Sequence, residues 1–581
     1  MGHTSSVKQT IRLSIYAMGL VAGILHLNSA IARDFELLSP DSIEIEPDPF
    51  ESEPTPSLPT PVDSLQTVPI SPLPESILDI PGTISVAKFN FVGSTVFSSA
   101  ELNQEIADFT DRPISFAQLV EAANQITQLY VSRGYITTGA YIPEQSLESG
   151  IVEIQIVEGS LAAIEVNVMG RLKENYIRDR IANKISTPLN INRLQSALQL
   201  LQLNPQIDSL NAELSSGIEP GTNILDVSVI SADSFTLQTR LNNNRNVSIG
   251  TFERGVQLEE ANLLGIGDRF GLAYDNTDGS DRYTVGYTVP INARDGSLGF
   301  NFRWIKNEIV QSSFESVDID IESRNYDLTW RQPVVQRATP EVSQELALSF
   351  TAARRTSDGT IMNDPQPLTP GADENGEIRT SVVSFGQEWL QRNRQQVISA
   401  RSQFNLGLDI DATILPEEPD SKFFSWRGQF SYLRALNQSE SVFAPIFLLR
   451  SELQLAADPL ISTEQFSLGG ATTIRGYRQD ALLTDSGFLA TTELRLPFAR
   501  FNSIDATLQF APFVDFGTGW NNDDETTEFD TLIGAGFGLL LQTPERFSAR
   551  VDWGIPLINN DDRGSSLQED GIYFQLQYDL F

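Results

Sequence analysis

The chain contains no cysteine, and its two histidines, His3 and His26, both lie close to the N-terminus. That stretch has the features of a removable signal, so we expect the mature protein to carry neither residue type. Their absence excludes a Ser-His-Asp or Cys-His nucleophile and metal sites built from cysteine and histidine. A mechanism that uses carboxylates alone stays open, but no motif supports one. We therefore predict no catalytic residue, no metal site and no cofactor, and we do not expect an enzyme.

Cations are also scarce, because 40 lysines and arginines stand against 76 acidic residues. Lys8 and Arg12 precede a short apolar run at 13–25, and residues 30–32 offer a small-residue cleavage site. We predict a signal peptide over residues 1–32; the alternative, an uncleaved anchor helix, would need a longer apolar run. Its removal takes away two cations and no acid, so the net charge becomes −38. Such a charge repels nucleic acid and suits an acidic pore lining.

The stretch after the signal has too little apolar surface to fold alone. Eleven prolines fall between Pro40 and Pro81, and eight acids lie between Asp34 and Glu53. Chains of this composition stay extended because burial cannot offset the entropy of ordering them. We predict an acidic, proline-rich linker over residues 33–83.

Two stretches, residues 84–159 and 160–233, predict two copies of one module with the order β-α-α-β-β. In the first copy, residues 84–93 alternate like a strand, and residues 116–133 carry apolar side chains on one helical face. Residues 135–142 read as a further strand. Similar modules in tandem count as an internal repeat.

From Ser234 to Phe581 the apolar pattern has a period of two residues. In residues 504–517 the even positions are mainly apolar and the odd positions mainly polar, and residues 547–553 and 572–580 repeat the alternation. No stretch after the signal reaches the roughly 18 apolar residues of a membrane helix, so an integral protein must be a closed barrel. We predict a transmembrane antiparallel barrel of about sixteen strands. A soluble sandwich also alternates, but no second core matches this apolar face.

The connections between the predicted strands fall into two classes. Long ones, such as 309–323 and 356–377, fall on one side of the barrel, which we expect to be the exterior. Short ones, such as 263–268, 497–503 and 543–546, fall on the other side.

The segment from Glu464 to Tyr477 is unusual for a passive pore. Its glycines allow tight turns or close approach to another surface, and Arg475 presents a permanent, planar cation. Asp515 follows further along the chain. We predict that a loop over 455–486 folds back into the barrel and that Arg475 pairs with Asp515. A solvated loop cation is the alternative.

Three signatures stand in a fixed order behind the signal and the linker. The first is the run 130–150 followed by Val157-Glu158-Gly159; the second is Phe466-Ser-Leu-Gly-Gly with Ile474-Arg-Gly-Tyr; the third is Phe513-x-Asp515-x-Gly517. Over residues 82–581 the chain resembles the two-partner secretion transporters (TpsB-type, haemolysin secretion/activation proteins) of the outer-membrane POTRA-barrel superfamily. POTRA denotes a polypeptide-transport-associated module.

The resemblance implies a mainly β protein of the cell outer membrane, with two periplasmic POTRA modules ahead of the barrel. It implies export of a large unfolded exoprotein, haemolysin- or adhesin-like and β-helical, without ATP. That partner docks on the POTRA modules through an N-terminal secretion domain. The implied loop lock consists of Arg475, Gly476, Tyr477 and Asp515, with Phe513 and Gly517 on the barrel wall. The POTRA signature, which we interpret as mainly structural, comprises Arg133, Gly134, Tyr135, Pro143 and Gly150.

The resemblance also implies two further partners. Outer-membrane lipid contacts the barrel exterior, and the barrel-assembly machinery inserts the chain by recognising its C-terminal strand. Phe581 is a terminal aromatic residue, although the outward series of the last strand runs through Leu580.

Other functions remain as alternatives at this point. A factor that assembles barrel proteins shares the superfamily but often carries more POTRA modules. A passive porin explains the barrel but neither the module pair nor the Arg475 loop. A surface adhesin or a barrel enzyme of lipase type lacks the histidine that such an active site needs.

Overall fold

A computed structural model describes residues 83–146, 150–311, 318–369, 371–415, 419–436, 444–522, 531–543, 546–558 and 566–580. The predicted signal peptide, the predicted linker up to residue 82 and Phe581 lie outside these residues. The chain divides into two compact units, an N-terminal pair of modules and a barrel. None of the helices in the described ranges has the length and apolar character needed to cross a membrane.

The first module packs two helices against a small mixed sheet. Its elements are β1 (Thr83–Val86), β2 (Lys88–Val92), α1 (Ser99–Glu105), a 3-10 turn (Ala107–Phe109), β3 (Arg112–Ser115), α2 (Phe116–Ser132), β4 (Gly139–Tyr141) and β5 (Ile151–Val157). β5 lies between β2 and β4, and β1 pairs with β3. The single strand predicted at 84–93 is wrong, because the N–H groups of Ala87 and Lys88 donate to the carbonyl of Gly150 and interrupt it. β3 has no counterpart in the predicted order.

Helix α2 begins and ends where local chemistry requires. Ser115 and Gln118 form a capping box, in which each side chain accepts the other residue's backbone N–H. Gly134 follows the helix at φ +89°, a conformation that glycine adopts at little cost. The apolar face of the helix is buried, as expected: Leu119, Ala122, Ile126 and Tyr130. The strand predicted at 135–142 shortens to β4, since Tyr135 and Thr138 turn back on the helix end.

The second module repeats the arrangement with longer strands. Its elements are β6 (Ser160–Met169), α3 (Glu174–Lys184), α4 (Ile191–Gln202), β7 (Ile207–Ser216) and β8 (Thr222–Ser231). β8 lies between β6, which runs parallel to it, and β7, which runs antiparallel. Both helices cover one face of this sheet through a single apolar cluster.

Sixteen antiparallel strands close into a barrel in which the last strand pairs with the first. They are β9 (Phe235–Asn242), β10 (Glu253–Glu260), β11 (Arg269–Asn276), β12 (Ser280–Pro290), β13 (Ser297–Glu308), β14 (Ile319–Ala338), β15 (Val342–Ile361), β17 (Glu377–Asn393), β18 (Gln396–Leu408), β19 (Phe424–Ala435), β20 (Ile446–Ala456), β23 (Ser486–Phe501), β24 (Ala506–Trp520), β25 (Thr531–Gln542), β26 (Phe547–Pro556) and β27 (Ile572–Asp579). Three short strands complete the set: β16 (Asp364–Pro365), β21 (Phe466–Leu468) and β22 (Leu482–Thr484). The predicted fold class and strand number are confirmed.

The alternation along each strand separates the inner from the outer face. In β24, Phe513 and Asp515 are buried inside, whereas Val514 and Phe516 are 52% and 36% exposed outside. The same phase holds in β26, where Asp552 is buried and Val551 is 49% exposed. An apolar exterior of this kind matches a lipid surrounding.

Three details of the barrel differ from expectation. The turn predicted at 497–503 lies mostly within β23, which continues to Phe501. The connection predicted at 356–377 begins later than expected, because β15 continues to Ile361. Both strands extend further because most of the added residues find ladder partners, on β24 for β23 and on β16 and β17 for β15. The connection between β11 and β12 is only residues 277–279, although it falls on the side where long ones were expected.

The inner wall is not simply acidic, as its predicted charge implied, but carries paired charges. Arg282 binds Glu253 and Asp275, at 3.1 Å in both cases. Arg331 likewise binds Glu345 at 2.7 Å and Glu388 at 2.9 Å. Charges withdrawn from bulk water need such partners, which explains why arginines accompany the acids on this face.

Candidate functional site: the in-folded loop and its anchor

The connection between β20 and β23, residues 457–485, folds back into the barrel. Its short strands β21 and β22 pair to form a hairpin. Gly469 and Gly470 begin the tip of this hairpin at φ +105° and +109°. Apolar loop residues pack against Leu489 and Leu532 of the wall: Phe466, Leu468, Ile474, Tyr477 and Leu482. This packing fixes the hairpin against β23 and β25.

Arg475 at the tip binds Asp515 of β24. Its Nε and Nη2 donate to the two carboxylate oxygens at 2.8 Å each, and its backbone N–H donates to Oδ2 at 3.1 Å. The guanidinium carbon lies 3.3 Å from the ring centre of Phe513. Both charged residues are buried, so the pair has the bidentate geometry and the shielding that make such bonds strong.

Four further wall residues complete a charge cluster around this pair. Arg475 Nη1 donates to Glu493 of β23 at 2.8 Å and lies 3.7 Å from Asp552 of β26. Arg550 donates to Glu493 at 2.6 Å and to Asp552 at 2.7 Å. Arg495 Nε donates to Glu493 at 2.8 Å. The cluster holds three guanidiniums and three carboxylates, so its formal charge is zero. Removal of one member would leave an uncompensated buried charge.

The two residues after Arg475 bind the wall through a tyrosine of the last strand. The N–H of Gly476 donates to the Tyr573 hydroxyl at 2.9 Å, and that hydroxyl donates to the carbonyl of Tyr477 at 2.6 Å. The Tyr477 hydroxyl reaches the carbonyls of Ile533 and Ile558 at 3.0 and 2.9 Å. Together with the ion pairs of Arg475, these bonds bring the tip into contact with each of the last five strands, β23 to β27.

Glycines of the wall form a cradle that lets the loop backbone approach closely. A Cβ on Gly534 would lie 1.9 Å from the carbonyl oxygen of Arg475, and one on Gly554 would lie 2.5 Å from the nitrogen of Gly476. Gly476 itself has φ +107°, and a Cβ there would lie 2.8 Å from the nitrogen of Pro556. Gly517 gives space to Leu468 in the same way. Larger residues at these positions would displace the tip.

Sequence reasoning found the two principal residues of this site and missed its surroundings. Arg550 and Asp552 lie on the polar face of the alternating stretch 547–553, but no sequence pattern assigns them to the Arg475 cluster. Glu493 and Tyr573 stand at positions of their strands that face the lumen. This alternation was the one feature of the sequence that could have suggested them as partners of the loop. The cradle glycines Gly534 and Gly554 could be recognised only with the register of β25 and β26.

Three of the five POTRA signature residues, Arg133, Gly134 and Tyr135, lie where the two modules meet. The carbonyl of Arg133 accepts from Asn190 Nδ2 at 3.0 Å, and that of Gly134 accepts from the N–H of Ile191 at 2.8 Å. Asn190 also caps α4, so the C-terminal end of α2 meets the N-terminal end of α4. Tyr135 packs against the core of the first module, while its neighbour Ile136 packs against the core of the second. These contacts are in keeping with structural roles for Arg133, Gly134 and Tyr135. They join the two modules rather than stabilise one of them.

Pro143 and Gly150 have local roles in the first module. The carbonyl of Pro143 accepts from Gln145 Nε2 at 3.3 Å. Gly150 has φ +70°, and its carbonyl accepts from Ala87 and Lys88 where β1 ends and β2 begins. Neither residue contributes a side chain to the module junction.

Glu158 closes the other side of the first module. Its carboxylate accepts from the Thr95 N–H at 2.7 Å, the Thr95 hydroxyl at 2.5 Å, the Val96 N–H at 3.2 Å and the Tyr130 hydroxyl at 2.8 Å. Burial alone would raise the pKa of this carboxyl, but these donors together hold the pKa below its ordinary value. Burial raises the pKa of Tyr130, which keeps it a donor.

Comparison with known proteins adds two family matches. Residues 221–541, more than half of the chain, match the family described as haemolysin secretion/activation protein ShlB/FhaC/HecB. Residues 84–159 match the POTRA domain of ShlB type. Both matches fall on the elements described above, the second on the first module and the first on the barrel with the last part of the second module.

Relatives of similar length come from several bacteria. Outer membrane transporter CdiB of Dickeya dadantii is 21% identical over 486 residues, which cover 82% of this chain and 83% of the relative. Heme/hemopexin transporter protein HuxB of Haemophilus influenzae is 22% identical over 489 residues, which cover 81% and 82%.

Two solved structures share the fold. CdiB from Escherichia coli superposes with a TM-score of 0.66 at 16% identity, covering 97% of this chain and 100% of that chain. BamA from Haemophilus ducreyi lacking POTRA domains 1–3 superposes with a TM-score of 0.50 at 14% identity, covering 86% and 100%. At these identities the likeness shows a common architecture and no more.

Proposed function

We propose that this chain, which belongs to the haemolysin secretion/activation protein family ShlB/FhaC/HecB, exports its partner through a pore that the Arg475 loop closes at rest. The resemblance inferred from the three sequence signatures is confirmed. The chain is an outer-membrane β-barrel transporter of the two-partner secretion type, and its partner is a secreted exoprotein. Its POTRA region belongs to the periplasm.

One observation carries the gating proposal: Arg475 is buried inside the barrel and bound through both edges of its guanidinium. Because three cations meet three carboxylates there, the closed arrangement is satisfied as a unit. A half-released tip would leave a charge without its partner in a partly dry lumen, which is costly. The loop is therefore expected to be either docked or released, with little population between.

The partner's route follows from the order of the domains. An unfolded exoprotein docks first on the POTRA modules, where a sheet edge such as β4 can accept an extended segment through main-chain hydrogen bonds. It then displaces the tip and crosses the barrel. No ATP-binding motif is present, so folding of the β-helical partner outside provides the direction.

Two further partners belong to the proposal. Outer-membrane lipid faces the exterior of the barrel, where Tyr283 stacks between Tyr274 and Trp304 with ring centres 4.9 and 5.4 Å apart. Aromatic clusters of this kind are typical of lipid-facing barrel surfaces. The barrel-assembly machinery inserts the chain by recognising its C-terminal strand, β27.

The test is a secretion assay in which this chain is expressed together with a candidate exoprotein that carries an N-terminal secretion domain. Arg475→Ala should lower the amount of partner in the medium while the variant barrel still inserts and remains heat-modifiable on gels. Arg500→Ala is the matched control, because it removes an arginine–aspartate pair on the exposed 502–505 turn and leaves the lumen intact. Normal secretion by Arg475→Ala would show that the docked tip is not needed for export.

The same assay separates the alternatives. A barrel-assembly factor would deplete many outer-membrane proteins when removed, whereas an exporter affects its own partner. A passive porin would support solute flux and leave the exoprotein inside the cell.

A further inference from the structure

The in-folded loop also touches the barrel at its first limb, residues 457–465, which we call the root. Leu460 is 1% exposed and packs with Ala353, Val382 and Phe423. Ile461 is fully buried. A Cβ on Gly371 would lie 2.5 Å from a methyl carbon of Ile461, so the connection between β16 and β17 also approaches the root closely. The root is therefore a packed part of the lumen and not a solvated linker.

An ion pair reinforces this packing. Glu464 in the root binds Arg355 of β15, and the two side chains are only 11% and 10% exposed. Arg355 points inward, two residues along the strand from Ala353. The carbonyl of Glu464 is held as well, since it accepts from Gln454 Nε2 of β20 at 3.0 Å. Neither Arg355 nor Glu464 contacts the Arg475 cluster.

The root and the tip are fixed to opposite sides of the barrel. Counted from β9 in the closed order, β15 is the seventh strand, while the strands of the Arg475 cluster are the twelfth, thirteenth and fifteenth. The fifteenth strand is half a turn from the seventh in a barrel of sixteen. The loop consequently spans the lumen, with a charge-paired anchor at each end.

We propose that Arg355 and Glu464 form a second latch, which holds the root against the wall opposite Arg475 and keeps the resting pore closed. This inference rests on the proposed function, in which the loop is the closing element. With the root fixed, release of the tip swings the hairpin about its base. With the root loosened, the whole loop shifts and ions leak past it even while Arg475 remains docked.

The closing experiment measures single-channel current of the full-length mature protein in planar lipid bilayers. Arg355→Gln and Glu464→Gln should each raise the open fraction on the order of tenfold, a typical coupling between linked sites. The double variant should leak no more than either single one, because partners in one contact are not additive. Silent single variants would overturn the latch.

A cross-link between the two positions provides a second test of the latch, and its result does not depend on whether a substitution loosens the fold. The chain has no native cysteine, so Arg355→Cys with Glu464→Cys supplies the only two thiols. When a reducible bismaleimide bridges the two thiols, the resting current of this variant should equal that of the wild type. Reduction of the bridge should then raise the current. If neither the cross-link nor its reduction changes the current, the proposal is overturned.

Two comparisons complete the design. Arg331→Gln breaks a pair of the same chemistry between wall strands and should leave the current unchanged; an equal leak would show general loosening and overturn the latch. Arg475→Ala, measured in the same way, tests the proposed function, in which the Arg475 loop closes the pore. If it opens the pore and the Arg355 variants do not, only the second latch fails. If Arg475→Ala leaves the pore closed, the gate in the proposed function fails.

Discussion

Tyr135 and Ile136 are neighbours in the chain, yet their side chains pack into the cores of two different modules. Hydrogen bonds from Asn190 and Ile191 fasten the same turn to the start of α4. Two folded bodies joined through a shared apolar contact and paired backbone groups resist relative rotation. The signature around Gly134 therefore connects the modules as well as ending a helix.

We predict that Ile136→Ala loosens this junction and costs the second module about 1–3 kcal/mol, less than a fully buried isoleucine because Ile136 is only partly buried. Spin labels on cysteines introduced in each module should report a broader distance distribution than in the unsubstituted protein. Ile218→Ala is the control, since Ile218 is fully exposed and should leave the distribution unchanged. An equally narrow distribution in Ile136→Ala would show that the turn is not the joint.

Arg475 and Asp515 should behave as one unit in secretion. Arg475→Ala leaves Asp515 buried without a cation, and Asp515→Ala removes the bidentate partner of Arg475, which keeps only Glu493 and the more distant Asp552. Each single change should therefore destabilise the docked tip by about 3–5 kcal/mol. The double variant should be about as impaired as either single one. Secreted exoprotein in the medium, normalised to inserted barrel, measures all three. Fully additive losses would show two independent roles.

Arg475→Lys should secrete less exoprotein than the wild type, as Arg475→Ala does. A lysine keeps the charge but cannot make parallel bonds to both oxygens of Asp515 and a third bond to Glu493 with the same planar geometry. The comparison is made in the same secretion assay. Wild-type secretion by the lysine variant would mean that charge alone holds the tip.

The glycine cradle predicts an effect of single methyl groups. Gly534→Ala and Gly554→Ala should each displace the tip, because their Cβ atoms would meet the Arg475 carbonyl and the Gly476 nitrogen. The expected result is a raised resting current in planar bilayers with normal insertion. Gly299→Ala serves as control, since its nearest contact is a threonine hydroxyl of the wall at 3.2 Å. A closed pore in both cradle variants would place the loop backbone further from the wall.

The first module should lose local stability in acid through Glu158. Because the folded pKa of Glu158 lies below its unfolded value, the carboxylate stabilises at pH values above that unfolded value, about 4.3, and the contribution fades as pH falls through the folded pKa. Amide hydrogen exchange of residues 94–97 should show more protection in wild type than in Glu158→Gln at pH 7. The two should converge once the pH has fallen below the folded pKa of Glu158. A difference that does not change with pH would contradict the assignment.

The barrel was predictable because lipid outside and polar side chains inside impose a period of two on every strand. The Arg475–Asp515 pair was predictable from residue type and from the family signatures. Glu493 and Asp552 were not, since joining them to Arg475 requires the register that places Glu493 opposite Phe513. β3 escaped notice because Pro113 in its centre argues against a strand, and only the edge pairing with β1 accommodates it.

The paired charges of the inner wall have a consequence for whatever slides past them. An unfolded polypeptide presents lysines, acids and amides in no fixed order, and a wall of one sign would hold the opposite sign at every step. Where Arg282 already binds Glu253 and Asp275, and Arg331 already binds Glu345 and Glu388, a passing side chain meets a partner that is only briefly free. The lining thus offers low friction to a moving chain whatever its composition.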